Sequence, residues 1–118
     1  IKILNYISEE EKNSLYIHAK IFLFPSFYEG FGIPIIEAQS FGVPVITASN
    51  SSLSEITNNS AICINPYNIN EIKAAINELY FDKNLYDYYK NLGLENSKKF
   101  TWIKTAINTL EIFNKLNH

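Results

Sequence analysis

The chain has 118 residues, 47% hydrophobic and 14% aromatic, enough for one domain with a real core. Its net charge is −2 and its pI is near 5.6. All ten basic residues are lysines. That balance leaves no electrostatic footprint for nucleic acid or an anionic membrane, and no guanidinium fork for phosphate. The single cysteine, Cys63, rules out an internal disulfide. No stretch reads as a signal peptide or a long apolar span, so a cytoplasmic location is expected. The inner face of the membrane is the alternative for a longer protein.

Taken in chain order, Ile1 to Ile7 reads as a strand. Ser8-Glu9-Glu10-Glu11 is a capping box, in which the serine side chain and Glu11 satisfy early backbone donors, so a helix runs from about Glu9 to Ala19. The apolar run Ile21 to Phe24 predicts a strand buried on both faces. Pro34 presets the angle of a first helical position, and the helix it opens runs to Phe41, where Gly42 supplies the left-handed cap. Pro44 to Thr47 and Ala61 to Ile64 are the next strands, with a short helical turn near Leu53 to Ile56. Beyond Asn70 the chain turns helical, over Glu71 to Phe81, Leu85 to Lys99 and Thr101 to Leu116. Alternating strand and helix patterns predict an α/β fold, a Rossmann-like three-layer half domain with a short parallel sheet, truncated at its N-terminal side. Residues 1–100 form the domain, and residues 101–118 a last helix that packs on it or crosses to a domain outside the chain.

The segment from Ser26 to Ala38 carries the most chemistry. Glu29 and Glu37 stand eight apart, and between them Gly30 and Gly32 free the backbone for close approach to a ligand. A helix start offers unpaired N–H groups and partial positive charge, which suit a diphosphate. Glu29 on the loop and Glu37 in the first helical turn could then accept hydrogen bonds from hydroxyls on either side of it. Carboxylates that bind neutral hydroxyls point to a sugar ligand.

These residues, with their neighbours, resemble the nucleotide-sugar half of the retaining glycosyltransferases of family 4, which have the two-domain GT-B architecture. The likeness spans roughly residues 1 to 102. It rests on Leu15 to Ser26, on Ser26 to Ala38, and on Phe41-Gly42-Val43-Pro44-Val45-Ile46, Leu53-Ser54-Glu55-Ile56 and Ile64-Asn65-Pro66 in the family's order. It implies a chain that is part of a longer protein, since 118 residues cannot hold two Rossmann domains and the sequence opens without Met inside an apolar run.

The resemblance further implies transfer of a hexosyl group from a nucleoside-diphosphate sugar, UDP being the expected nucleotide, with retention. Glu29 would be the catalytic residue that holds the sugar, and Glu37 would anchor the ribose. Gly30, Phe31, Gly32 and Ile33 would line the donor with backbone amides. Tyr6 and Ile7 match the family's nucleobase contact, although Asn5 replaces its usual glycine. No metal and no cofactor are expected; the nucleotide sugar is substrate. The partner is an N-terminal acceptor domain outside this chain, together with the basic residues that meet the diphosphate, so the chain alone is expected to be inert.

In the family's sheet two strands absent here lie between those matching Ile1 to Ile7 and Ile21 to Phe24. The first segment is therefore expected to slide in beside the second, or to be exchanged with another copy in a strand-swapped homo-oligomer.

Blander readings stand beside these. Glu29 could be a solvated loop carboxylate, Glu37 a helix-dipole partner, and the glycines simple turn formers. His18 reads as structural and Cys63 as core. Tyr80, Tyr86, Tyr88 and Tyr89 read as packing, with carbohydrate stacking the sharper option. Trp102, Ile103, Ala106, Ile107, Leu110 and Phe113 build one apolar helix face, whose default partner is this same domain. At the level of function, the alternative to a transferase is a non-catalytic nucleotide-binding or interaction module.

Overall fold

In a computed structural model that describes residues 1–116, three short parallel strands carry the fold, ordered β1-β2-β3 as β1 (Phe22–Phe24), β2 (Val45–Ala48) and β3 (Ile62–Ile64). Phe22 pairs with Val45 and Phe24 with Thr47 across the first ladder, and Ile46 with Ile62 across the second. Six helices complete the described residues: α1 (Glu9–His18), α2 (Ile33–Ser40), α3 (Ser51–Thr57), α4 (Ile69–Phe81), α5 (Lys83–Ser97) and α6 (Trp102–Leu116).

Every residue of β2 is buried, as an unbroken apolar strand requires when both sheet faces are covered. Its side chains divide between two cores, Val45 and Ile46 by alternation and Ala48 at the strand's end. Val45 and Ala48 pack with Tyr16 of α1, Ile35 and Ala38 of α2 and Leu53 of α3. Ile46 packs on the opposite face with Ile64, with Ala75 and Leu79 of α4, and with the flanking Leu85 and Tyr89 of α5. The result is the expected α/β layering around a short parallel sheet.

Local chemistry explains most element ends. Ser8 accepts from the amide of Glu11 while the Glu11 carboxylate accepts from the amide of Ser8, the reciprocal cap read from the sequence. Gly42, at φ 72°, closes α2 in the left-handed region, its amide bonded to Gln39 O at 2.9 Å. α4 begins at Ile69, ahead of the expected Glu71, because the Asn68 side chain accepts from the amides of Asn70 and Glu71. α5 begins at Lys83, ahead of Leu85, because Asp82 accepts from the amide of Leu85. Sequence periodicity locates the helix; the capping side chain sets its first turn.

Two expectations fail. Residues 1–7 form no strand: Ile1, Ile3, Leu4 and Tyr6 are exposed, and the segment does not slide in beside β1. A strand exists only with a ladder partner, and the three residues of β1 pair with β2 alone. β1, at the sheet edge, is not buried on both faces: Phe22 and Phe24 are half-buried and Leu23 is exposed, because no further strand or layer covers it among the described residues. α6 contains no buried residue, and its Trp102, Ile103, Ile107, Leu110 and Phe113 are exposed.

Candidate functional site

The loop 25–32 leaves the C-terminal end of β1 and enters α2, the position at which open parallel sheets hold ligands. Small polar side chains pin it. Asn50 Nδ2 donates to Phe27 O at 2.5 Å and Ser26 O at 3.4 Å, and Ser52 Oγ donates to Glu29 O at 2.7 Å. Ser26 Oγ donates to the Glu29 carboxylate at 3.0 Å and to Tyr28 O at 3.1 Å. The loop is thus tied across to the start of α3, and Glu29 is turned toward Ser26.

Gly32 caps α2 at φ 87°, a left-handed angle that a side chain rarely adopts. A Cβ there would lie 2.8 Å from Leu53 Cδ2, so the end of that buried leucine would have to shift, and the left-handed angle strains any other residue whatever the space. Gly30 has open space around it. No side chain caps this helix start, and Pro34, at its second position, brings no N–H. Glu37 therefore lies in the second turn of α2, past the first turn where its sequence placed it; the helix starts one residue before Pro34.

Glu37 is gripped from α1. Lys12 Nζ donates to Glu37 Oε1 at 3.1 Å and Tyr16 Oη to Oε2 at 3.3 Å, with Pro34 O at 3.4 Å from the same hydroxyl. Lys12 also reaches Glu9, at 3.0 Å. Bonds to Glu9 and then to Glu37 raise the lysine's pKa above its ordinary value. Burial, and after it the Glu37 charge, push the Tyr16 hydroxyl up to about 12. The ring of Tyr16 stacks on Phe41 at 5.5 Å and meets Phe22 edge-on at 5.6 Å, which fixes its direction.

A hollow of about 560 Å³ opens beside α2, lined by Phe31, Ile33, Ile36 and Glu37 on one side and by Phe100 and Trp102 on the other. Phe31 meets Phe100 edge-on at 5.8 Å. The fold thus gathers Phe31, Ile33 and Glu37 around one space. Glu29 is not among its lining residues; the bonds from Ser26 and Ser52 hold it at the α3 side of the loop. Tyr6, exposed, and Ile7, half-buried, precede α1 and do not line the hollow either.

A second hollow, about 680 Å³, lies away from the loop, between the end of α1 and α4 with α5. Lys20 sits there over the rings of Tyr80 and Tyr86, 4.4 and 5.8 Å from their centroids. His18 is exposed, with Nδ1 2.8 Å from Ser14 O, and Cys63 is half-buried rather than fully in the core. Among the described residues no group of three or more His, Cys, Asp and Glu side chains gathers as a metal site.

Lys12 and Tyr16 are the site residues that the sequence reading missed. With Glu9 they recur at helical three- and four-residue steps, one face of α1, and that periodicity was the available signal.

Comparison with known proteins adds findings of three kinds. Residues 1–98 match the family described as glycosyl transferases group 1. The O-antigen chain mannosyltransferase B of Escherichia coli is 34% identical over 116 residues, which cover 98% of this chain and 30% of that protein. The serotype-specific mannosyltransferase WbdA of Escherichia coli is 31% identical over 111 residues, 94% of this chain and 14% of that one. Among solved structures, sucrose-phosphate synthase from Thermosynechococcus elongatus superposes with a TM-score of 0.85 at 25% identity, over 96% of this chain and 29% of that protein. The chain thus spans less than a third of the length of these relatives.

Proposed function

The chain belongs to the glycosyl transferases group 1 family, and from that premise we propose that it is the nucleotide-sugar-binding part of a retaining hexosyltransferase of family 4 type. In this reading a nucleoside-diphosphate sugar lies across the start of α2. The diphosphate meets the helix end and the amides of Gly30, Phe31, Gly32 and Ile33, and Glu37 accepts the ribose hydroxyls. Glu29 holds the hexose hydroxyls from the loop and stabilises the positive charge that grows on the sugar as the phosphate leaves. Ribose and hexose lie at opposite ends of such a donor, so carboxylates in two separate subsites suit it better than a shared pocket would.

The observation that carries the reading is the uncapped start of α2, entered through a left-handed Gly32 and bracketed by Glu29 and Glu37. Donor capture alone does not complete a transfer. The acceptor, and the basic groups that balance the diphosphate, belong in this proposal to residues outside the chain, and the chain by itself is inert. The mannosyltransferase relatives make mannose the first hexose to test. UDP is the first nucleotide, with GDP and ADP beside it. Tyr6 and Ile7 are assigned to the nucleobase because they lead directly into α1, whose side chains hold Glu37.

The test is calorimetric titration of the complete protein with UDP, GDP and ADP and with their mannose conjugates. One nucleotide is expected to bind saturably. Glu37→Ala should weaken it roughly tenfold or more, the scale of a lost charge-assisted hydrogen-bond pair. Glu29→Ala should lower turnover more than affinity. Turnover and affinity unchanged in both variants overturn the site assignment, and absence of both binding and turnover in the complete protein leaves a non-catalytic interaction module.

A further inference from the structure

Four ion pairs are formed among the described residues, and three of them join residues three or four apart on one helix. The fourth, between Lys12 and Glu37, spans 25 positions and ties α1 to α2. Local pairs on a helix surface contribute little and need no function. A pair between elements needs one, because two long side chains are immobilised and neither is freely solvated: the Lys12 and Glu37 side chains are 29% and 35% exposed.

Tyr16 sharpens the case. It is the buried residue of α1, 8% exposed, and its ring is clamped between Phe22 and Phe41. A phenylalanine would fill the same space. The hydroxyl instead projects out of that clamp to Glu37 Oε2.

From this arrangement we propose that Lys12 and Tyr16 are positioning residues, which hold the Glu37 carboxylate in one orientation so that it can recognise a pair of adjacent hydroxyls. The inference rests on the ribose-binding reading of Glu37 given above. An ionised carboxylate oxygen accepts two hydrogen bonds. Lys12 takes one place on Oε1 and Tyr16 one place on Oε2, which leaves one on each oxygen. Two adjacent hydroxyls on a five-membered ring offer the matching pair of donors. Without the lysine, Glu37 loses its counter-charge and one of its two anchors. It can then rotate, and the diol must hold it in place at the expense of binding energy.

The experiment compares affinities of the complete protein for UDP, GDP and ADP with those for their 2′,3′-dideoxy counterparts. In the wild type the ribose form of the favoured nucleotide should bind tighter than its dideoxy form. Lys12→Met, which keeps the stem and removes the charge, should reduce that preference about fivefold while leaving the dideoxy affinity unchanged. Tyr16→Phe should reduce it by a smaller factor, and Lys12→Arg should restore most of it.

If Lys12→Met weakens both forms alike, or neither, the positioning role is overturned and the ribose site of Glu37 stands. If the wild type does not distinguish the two forms, the ribose reading itself falls, and this inference with it. A thermal melt of each variant separates both outcomes from simple unfolding.

Discussion

At the residue scale, Tyr16 and Gly32 show how a single group can serve both fold and site. The Tyr16 pKa rises from an ordinary 10.0 to about 12, through burial first and the neighbouring Glu37 charge second. Between those values the folded chain keeps a proton that the unfolded chain has lost. The stability contributed is therefore complete below pH 10 and is lost as pH rises toward 12. Urea denaturation followed across that interval should show a steep decline for the wild type and a shallower one for Tyr16→Phe; equal slopes would remove the linkage. At Gly32 an added methyl meets Leu53 Cδ2 at 2.8 Å and is also strained at φ 87°. Gly32→Ala should cost roughly 2–3 kcal/mol in the same assay. Gly30→Ala, with open space around it, should cost far less. The glycines were legible in the sequence as places of close approach, but which of them is crowded depends on Leu53, 21 positions away.

At the scale of elements, α2 and α5 meet at close range, and the contact is polar as well as apolar. A Cβ on Gly93 of α5 would lie 3.1 Å from Gln39 Cγ of α2, so glycine permits the approach. Gln39, fully buried, donates to Ser60 Oγ at 2.7 Å and accepts from Asn96 Nδ2 at 2.9 Å. Asn96 also donates to Ile56 O at 3.0 Å, and Ser60 Oγ in turn donates to Thr57 O. One network thus joins α2, the end of α3, the loop before β3 and α5. Asn96→Ala strips a buried amide and a buried carbonyl of their donor, and should cost about 1–3 kcal/mol by chemical denaturation. Asn68→Ala, which removes only a helix cap at an exposed end, should cost about 1 kcal/mol. The caps could be read from sequence because donor and acceptor lie within three residues. The Gln39–Asn96 bond could not, since its partners are 57 apart.

At the scale of the molecule, the long axis is 54 Å against 30 and 28 Å for the other two. α6, about 22 Å long at 1.5 Å per residue, runs out from the body with its apolar face uncovered. A face that packs on nothing contributes little to folding. The double substitution Ile107→Gln and Leu110→Gln should therefore change the stability of this chain by less than about 0.5 kcal/mol. A loss of several kcal/mol in thermal or urea unfolding would mean that the helix docks on the body. No helix among the described residues is long and apolar enough to cross a membrane.

What the sequence determined by itself was the alternation of strand and helix, the chain ends of several helices and the loop that enters α2. Each of these follows from periodicity, glycine or proline geometry, or a cap, all of which act over a few residues. Tertiary structure alone decided that residues 1–7 remain unpaired, that Glu29 and Glu37 occupy different surroundings, that Lys12 and Tyr16 hold Glu37, and that α6 stands free. The reason is physical: a strand needs a ladder, a carboxylate takes its orientation from its donors, and an apolar face needs a cover. In each case the partner lies far along the chain or outside its reach, where no local pattern records it.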